Sequence, residues 1–263
     1  MAKVRERLIH PDYLNVQPTG TEKIVLLGKG FETIDENPGA ATDDTTYYNE
    51  KSTTTEITEY KSNFDFTGKR VIGEPGCDYI YDIGQMHRID EAVTQLYEVD
   101  LDMPAEIGSG TKFHCRKFEV LTTVDSLKAN NKKDSFSGKF NGRGDPVEGV
   151  FDISKVGTSE NPFTTGWEKP ALGALTVTSI AGTATGDTKL TVSPVLTEGN
   201  SYRYQTGTTV TLPVVGADCM TMTAWNGTAD ITATTGNQIL VVETTAAGLA
   251  VKAGITTVTS KTV

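Results

Sequence analysis

The sequence lacks any apolar run that approaches the roughly 20 residues of a membrane-spanning helix. Positive charges occur in residues 1–7, but no apolar stretch of about 7–15 residues follows them, so no signal peptide is predicted. Basic residues are in deficit, 24 against 34 acidic ones, for a net charge of −10. Because phosphate contacts need clustered Lys and Arg, this excess of acid argues against a nucleic-acid-binding protein and against binding to anionic membranes.

Few side chains are suited to catalysis or to metal binding. The histidines are scattered: His10, His87 and His114. The cysteines are widely spaced and are interpreted as small buried side chains of a protein made in a reducing compartment: Cys77, Cys115 and Cys219. His114 and Cys115 are neighbours on a predicted strand and point to opposite faces, so they could not bind one metal together. Motifs of serine hydrolases, zinc proteases, P-loops and dinucleotide sites are absent. The sequence predicts no catalytic, cofactor-binding or metal-binding residue and no enzyme.

The composition changes near Pro170. Residues 1–170 contain 20 basic and 29 acidic residues, whereas residues 171–263 contain four basic residues, five acidic residues and 23 threonines. The junction at residues 161–170 has Pro and Gly at both ends, which is typical of a linker. The sequence therefore predicts two domains, residues 1–168 and residues 169–263.

Both parts are predicted to be mainly β. The first part has alternating segments and one short helix at residues 75–83, which places Tyr79, Ile80 and Ile83 on one face. The second part has short Thr- and Val-rich segments between turn signals about 8–12 residues apart, which favours a small β-sandwich with Trp225 between its sheets. The predicted fold is an N-terminal β-sandwich or barrel with one short helix, followed by a small β-sandwich.

One segment of the first part stands out by its length. Residues 35–53 are acidic, rich in Thr and contain Pro and Gly, so a long loop is predicted there. Loops beyond roughly 12–15 residues in a compact domain are usually functional or disordered. A long strand is predicted after it, at residues 54–66, and a polar arm is predicted at residues 1–20.

Several passages occur in the order found in one family. They are residues 27–38 (LGKGFETIDENP), 46–55 (TYYNEKSTTT), 60–68 (YKSNFDFTG), 78–81 (DYIY) and 137–152 (SGKFNGRGDPVEGVFD). With them, the chain resembles the major tail protein, or tail tube protein, of long non-contractile-tailed bacteriophages of Gram-positive hosts. Residues 84–90 depart from that pattern, which expects a more basic turn there. Residues 200–204, 223–225 and 231–236 resemble positions of the immunoglobulin-like modules appended to phage capsid and tail proteins.

The resemblance implies a structural protein of the virion, made in the host cytoplasm. Hexameric rings of β-sandwich domains would stack into a tube through which DNA passes into the host without specific binding. The implied partners are further copies of the chain, the tape measure protein inside the tube, and the tail terminator and tail-tip proteins. No cofactor and no membrane are implied. An acidic lumen would repel the passing polyanion, in agreement with the net charge of the first part.

Contact residues follow from the same resemblance. The arm at 1–20 and the loop at 35–53 are predicted to form contacts between rings or subunits. The loop and the turn at residues 145–146 give these candidates: Asp35, Glu36, Asp43, Asp44, Tyr47, Tyr48, Asp145 and Pro146. The immunoglobulin-like module would face outward and bind the host surface weakly. Its candidate ligand residues are Tyr202, Tyr204 and Trp225.

Two alternatives stay open at the level of sequence. The chain could be a two-domain β adhesin or carbohydrate-binding protein, or a bacterial secretion-tube protein. The missing signal pattern counts against an adhesin, which must be exported. The appended module counts against a secretion-tube protein.

Overall fold

A computed structural model describes residues 6–108, 110–130 and 133–262, so the first five residues of the predicted arm lie outside the described part. The chain forms two compact units. The first consists of Met1–Met103 and Thr111–Trp167, and the second of Pro104–Gly110 and Glu168–Val263. The short segment Pro104–Gly110 therefore belongs with the C-terminal part of the chain.

The first unit is built from strands and one helix. Its strands are β1 (Asp12–Asn15), β2 (Ile24–Leu26), β3 (Phe31–Asn37), β4 (Ala40–Thr45), β5 (Thr54–Tyr60), β6 (Asn63–Lys69), β7 (Val93–Pro104), β8 (Lys112–Asn130), β9 (Lys133–Gly142), β10 (Val147–Asp152) and β11 (Phe163–Thr165). Short 3-10 turns lie at Arg7–Ile9 and Ile153–Lys155.

Most of these strands join one sheet in the order β2-β1-β7-β8-β9-β6-β3. The long strand β8 has two partners on its length, because Lys112–Lys117 pair with β10 and Val120–Asn130 pair with β9. Strand β11 extends the sheet beyond β10. Strands β4 and β5 pair only with each other among the described strands. The prediction of a mainly β fold is confirmed.

The predicted helix is present as α1 (Pro75–Met86). Pro75 occupies the first turn, where its missing N–H costs no hydrogen bond. Tyr79, Ile80 and Ile83 are all buried, so the predicted apolar face is confirmed. The helix ends at His87, whose φ of 52° lies in the left-handed region that closes many helices.

Two apolar clusters fill the first unit. One lies beneath α1 and includes Leu96 and a group of aromatic side chains: Phe64, Phe66, Phe118, Phe136 and Phe140. The other gathers residues of β1, β2, β7, β8 and β10: Tyr13, Ile24, Tyr97, Val99, Phe113, Cys115 and Phe151. Within the described residues all three cysteines are free and buried, as the sequence indicated.

The predicted arm is in part a strand of the sheet. Strand β1 lies between β2 and β7 and is not a free polar segment. The prediction was wrong for these four residues, because Leu14 is fully buried and Tyr13 is 8% exposed. Burial of two large apolar side chains is enough to hold a short segment in a sheet.

The second unit is a sandwich of two sheets. Its strands are β12 (Gly173–Ala174), β13 (Thr176–Ala181), β14 (Asp187–Ser193), β15 (Ser201–Gly207), β16 (Thr223–Trp225), β17 (Ile231–Thr232), β18 (Gln238–Thr244) and β19 (Ala250–Thr257). One sheet has the order β12-β19-β18-β15-β16 and the other β13-β14-β17. Residues from both sheets meet in one buried cluster that includes Trp225, so its predicted place between the sheets is confirmed.

One alternating segment of this unit does not form a strand. Residues 208–212 have no strand pairing, although Thr and Val alternate there. The backbone N–H of Val210 donates instead to the side-chain oxygen Oε1 of Gln238, at 2.9 Å. Pro213 directly follows this segment. Because proline has no N–H to donate to a neighbouring strand, it prevents the segment from continuing as a strand.

Candidate functional site

Strands β4 and β5 form a hairpin that carries no core of its own. All seven residues of β5 are exposed, and in β4 only Ala41 is partly covered. A two-stranded hairpin by itself is at best marginally stable in water. The hairpin would therefore be stabilised by contact with a partner.

The long loop predicted at residues 35–53 is in part strand, so the prediction was wrong for residues 35–37 and 40–45, whereas residues 46–53 contain no strand. Residues 35–37 end β3, and the turn at Pro38 and Gly39 leads into β4. The single strand predicted at residues 54–66 is also wrong, because β5 ends at Tyr60 and β6 begins at Asn63. The threonines of this segment were the available signal, since β-branched residues favour strands.

Threonine hydroxyls hold the hairpin together. Thr55 Oγ1 donates to Asp44 Oδ1 at 2.7 Å, and Thr58 Oγ1 donates to the Ala41 carbonyl at 3.2 Å. Thr46 and Thr53 share a hydrogen bond of 3.0 Å at the base of the tip. These bonds replace the apolar contacts that a core would supply.

Large apolar side chains project from the hairpin into solvent. The exposed fraction is 58% for Tyr47 and 108% for Tyr48 at the tip, and 57% for Ile57 and 61% for Tyr60 on β5. Aromatic residues are enriched at the centres of protein interfaces because they bury large areas at low entropic cost. The hairpin has the composition of an interaction surface.

The two faces of the hairpin differ in charge. Asp43 lies opposite Glu56 in the ladder, so both carboxylates project to one face. Thr42 lies opposite Ile57 on the other face. Like charges directly opposite each other destabilise a ladder, so the acidic face favours contact with solvent or with cations rather than a partner's carboxylates.

A sharp bend separates the hairpin from the main sheet. Gly39 has a φ of 62°, and a Cβ at this position would lie 2.4 Å from the Lys61 carbonyl oxygen. Lys61 N–H donates to the Gly39 carbonyl at 3.0 Å across the bend. Asn37 Nδ2 donates to Asp65 Oδ2 at 2.9 Å just before it. The root of the hairpin is thus fixed, although its strands have no core.

Arg116 on β8 forms ion pairs with carboxylates near the end of β3 and on β7. Its guanidinium donates to both carboxylate oxygens of Glu36, at 3.1 and 2.7 Å, and also contacts Glu98 on β7. Asp12 lies opposite Glu98 in the β1–β7 ladder. Burial, and then the charges of Glu98 and Glu36, raises the pKa of Asp12 to about 7, against the lowering effect of Arg7 and Arg116. Arg116 is therefore the charge that allows these carboxylates to lie together.

The predicted contact residues are only partly brought together. Asp35 is exposed on β3, Asp43 and Asp44 are exposed on β4, and Glu36 is held by Arg116. Asp145 and Pro146 form an exposed turn between β9 and β10, and no contact joins them to the hairpin in the part of the chain that the structure describes. Arg116 and Asp12 were missed, because they are far from Glu36 in the sequence and only the tertiary structure brings them near it.

The candidate ligand residues of the second unit face inward. Tyr202 is 6% exposed and Trp225 is 8% exposed, and their rings lie 5.6 Å apart. Trp225 Nε1 donates to the Ala229 carbonyl at 2.8 Å, so its polar atom is already satisfied. Tyr204 is partly covered and packs against the same cluster. A ligand on Tyr202 and Trp225 would have to displace the core, so the proposed surface contact is wrong for these two residues.

A fully buried carboxylate stabilises the second unit. Glu243 on β18 accepts from the Thr197 N–H at 3.3 Å, from Asn200 Nδ2 at 2.7 Å and from Lys252 Nζ at 3.0 Å. Burial by itself raises the pKa of Glu243, but these hydrogen bonds and the Lys252 charge outweigh it and lower the pKa below its ordinary value. Glu243 joins the loop after β14 to the sheet.

We expect Glu243→Ala to lower the free energy of unfolding of the second unit by about 3 kcal/mol, because it leaves the Lys252 charge without its partner. The lowered pKa means that the stabilisation is complete above the ordinary carboxylate pKa and is lost as the pH falls through the folded-state value. Urea unfolding at neutral and acidic pH measures both effects. Glu198→Gln, at an exposed position, is the control. Equal losses in the two variants would contradict the role of Glu243.

Strand pairing also gathers His10, Asp100, Asp102 and His114, which the sequence leaves far apart. His10 Nδ1 lies 2.7 Å from Asp100 Oδ1, and His114 Nδ1 lies 3.5 Å from Asp100 Oδ2. Asp102 Oδ1 lies 3.9 Å from His10 Nε2. No property of the local sequence indicates this cluster.

These features define a mainly β protein with an exposed, coreless hairpin as its candidate interaction surface. Within the described residues, no helix is both long and apolar enough to cross a membrane.

The chain is similar to one protein-family model and to solved structures. Residues 180–261 match a family model described as the S-layer protein SbsC C-terminal domain. No curated protein matches the sequence. One similar solved structure is the tail of an empty GTA particle with C6 symmetry, at 11% identity, a TM-score of 0.39, and coverage of 54% of this chain and 97% of that chain. Another is the SPP1 Dit protein, described as a paradigm of the hub adsorption apparatus in phages that infect Gram-positive hosts. It has 9% identity, a TM-score of 0.28, and coverage of 89% of this chain and 79% of that chain. These structural neighbours are phage tail proteins.

Proposed function

We propose that the chain is a structural protein of a phage tail, whose copies associate in stacked hexameric rings that form the tail tube. The observation that carries the proposal is the β4–β5 hairpin, which exposes aromatic and aliphatic side chains over no core. Its partner is a further copy of the chain. The ordered passages by which the sequence resembles tail tube proteins support the same assignment.

The register of the hairpin suggests how it would be used. The face with Ile57 would pack against the neighbouring copy, because it carries the apolar side chain. The face with Asp43 and Glu56 would line the lumen. The hairpin from residue 40 to residue 60 has five acidic residues and one basic residue. Such a surface repels DNA phosphates and would let the polymer pass without binding.

Ring closure would use the open edges of the main sheet. Strand β2 is at one edge and β3 is at the other end of the same path. An unpaired edge can add a strand from a neighbouring molecule, and repeated head-to-tail contacts around an axis close a ring. The second unit would be displayed outside the tube, and the tape measure, terminator and tail-tip proteins would be the further partners.

Electron microscopy of the purified chain tests the proposal. We expect negatively stained samples at high concentration to contain rings or hollow tubes, and sedimentation velocity to show their growth with concentration. A chain that stays monomeric at every concentration, and that is absent from purified phage tails, would contradict it. The adhesin alternative would need a ligand site other than Tyr202 and Trp225, which are buried. A secretion-tube protein would also assemble, but it would be absent from virions.

A further inference from the structure

A lysine and an asparagine of the second unit share one buried carboxylate. The Glu243 side chain on β18 is 0% exposed, and Glu243 lies directly opposite Lys252 in the β18–β19 ladder. Lys252 Nζ donates to Glu243 Oε2 at 3.0 Å, and Asn200 Nδ2 donates to Glu243 Oε1 at 2.7 Å. An amine and a carboxamide are therefore held on the two oxygens of the same carboxylate.

The loop before β15 fixes the asparagine in this place. The Asn200 N–H donates to the Thr197 carbonyl at 3.0 Å, and Gly199 has a φ of 84° inside this turn. The Thr197 N–H donates to Glu243 Oε1 at 3.3 Å, and Thr197 Oγ1 accepts from Lys252 Nζ at 2.9 Å. Because an ionised carboxylate only accepts hydrogen bonds, the Asn200 carboxamide presents its nitrogen to Glu243. The turn and the carboxylate together restrain both side chains.

We propose that Lys252 and Asn200 join in an intramolecular amide bond, with Glu243 as the group that moves the protons. Nζ forms a bond to Asn200 Cγ, the bond between Cγ and Nδ2 breaks, and that nitrogen leaves as ammonium. Of the three protons on the charged amine, one stays on the new amide and two leave with the departing nitrogen, so atoms and charges balance. The bond ties the loop before β15 to β19 across β18. It restricts the unfolded chain as a disulfide does, and so stabilises the second unit.

The carboxylate is placed for both proton transfers. Oε2 accepts from Nζ and takes its first proton, which leaves a neutral amine as the nucleophile. Oε1 accepts from Nδ2 and gives a proton to that nitrogen as it departs. Glu243 is thus within hydrogen-bond distance of the atom that it deprotonates and of the atom that it protonates, as general acid–base catalysis requires.

The resting state of the cluster is the charged pair of Lys252 and Glu243. Burial raises the pKa of Glu243, but its hydrogen bonds and the Lys252 charge outweigh burial and lower it, so the neutral amine is the minor form and the bond forms slowly. The flexible side chain of Lys252 allows Nζ to approach Asn200 Cγ. Well-oriented groups of one molecule react as if at about 10⁵–10⁸ M, which favours the bond over a free encounter. Chains that have not reacted keep the pH dependence of stability given above.

The mass of the purified full chain tests the proposal. Release of ammonia lowers the mass by about 17 Da, and we expect this loss in most chains after about one day at mildly alkaline pH. Cyclisation of an asparagine that precedes glycine, such as Asn226, would lower the mass equally. Trypsin separates the two reactions, because it cleaves after Arg203 and only the proposed bond keeps the peptide of Asn200 joined to that of Lys252.

Matched variants identify the reacting groups. Lys252→Arg and Glu243→Gln should both keep the full mass, because a guanidinium does not give up its proton and a carboxamide does not take one. Lys252→Arg retains the positive charge beside Glu243, so it keeps the test valid if Glu243→Gln does not fold. Lys189→Arg, at an exposed position of β14, is the control and should lose the mass as the unmodified chain does.

Three results would overturn the proposal. They are an unmodified chain that keeps its full mass, a loss of mass without the joined peptides, and an equal loss in Lys252→Arg. Joined peptides in a folded Glu243→Gln variant would overturn the role of Glu243 in the reaction.

Discussion

Arg116→Ala should lower the free energy of unfolding of the first unit by about 3 kcal/mol, because it removes the cation from three neighbouring carboxylates. Glu36 and Glu98 both lose a partner, and Asp12 loses a nearby charge that favours its ionised form. Urea unfolding followed by Trp167 fluorescence measures the loss.

Arg143→Ala is the matched control for Arg116→Ala. Arg143 pairs with Glu119 at 3.4 Å, and both side chains are about half exposed, so its removal should cost less than about 1 kcal/mol. Lowering the pH should reduce the defect of Arg116→Ala, because the remaining carboxylates become neutral. A loss no larger than that of Arg143→Ala would show that Arg116 does not hold this cluster.

The same cluster predicts a dependence of stability on pH. A folded-state pKa of about 7 for Asp12, above its ordinary value of 3.8, means that folding takes up a proton between these two values. The stabilisation is complete below the ordinary pKa and is lost as the pH rises through about 7. Asp12→Asn should remove this loss and be more stable than the unmodified chain at pH values above 7. Because Glu36 on β3 shares Arg116 with this cluster, alkaline pH should also loosen β3.

Replacing both tip tyrosines of the hairpin, Tyr47 and Tyr48, by Ser should abolish assembly without changing the stability of the monomer. Both rings are largely exposed in the isolated chain, so their removal uncovers no core. At an interface, loss of one aromatic anchor costs about 2 kcal/mol or more, which is roughly a 30-fold weaker contact. The effect should be larger in a tube, where each copy uses the contact repeatedly.

Sedimentation velocity and electron microscopy measure this loss of assembly, and urea unfolding checks the monomer. Ile180→Ser is the control, since Ile180 is 58% exposed but lies in the second unit. Tubes that form equally with the tyrosine variant would exclude the hairpin tip as a contact. An unstable variant monomer would instead show that the tip contributes to folding.

Local sequence was sufficient to predict the elements whose residue pattern agrees with their burial in the folded chain. Helix α1 was predicted because Pro75 marks its start and its apolar residues recur at helical spacing. Trp225 was placed between two sheets, and the three cysteines in the interior, because large apolar and thiol side chains are costly to expose. These features depend on neighbours along the chain or on burial alone.

Only the tertiary structure decided which distant residues meet. Residues 35–53 looked like one loop although residues 40–45 are a strand, because the ladder of β4 and β5 buries neither face in a core and so has no pattern of burial to reveal it. Arg116 on β8 meets Glu36 although β3 is paired with β6, at the other end of the same sheet path. His10 meets Asp100 because the segment before β1 lies beside β7. Sequence determined the local conformations and the amount of apolar surface to be buried. The register between strands determined which side chains meet, because a shift of one residue moves every side chain of a strand to the opposite face.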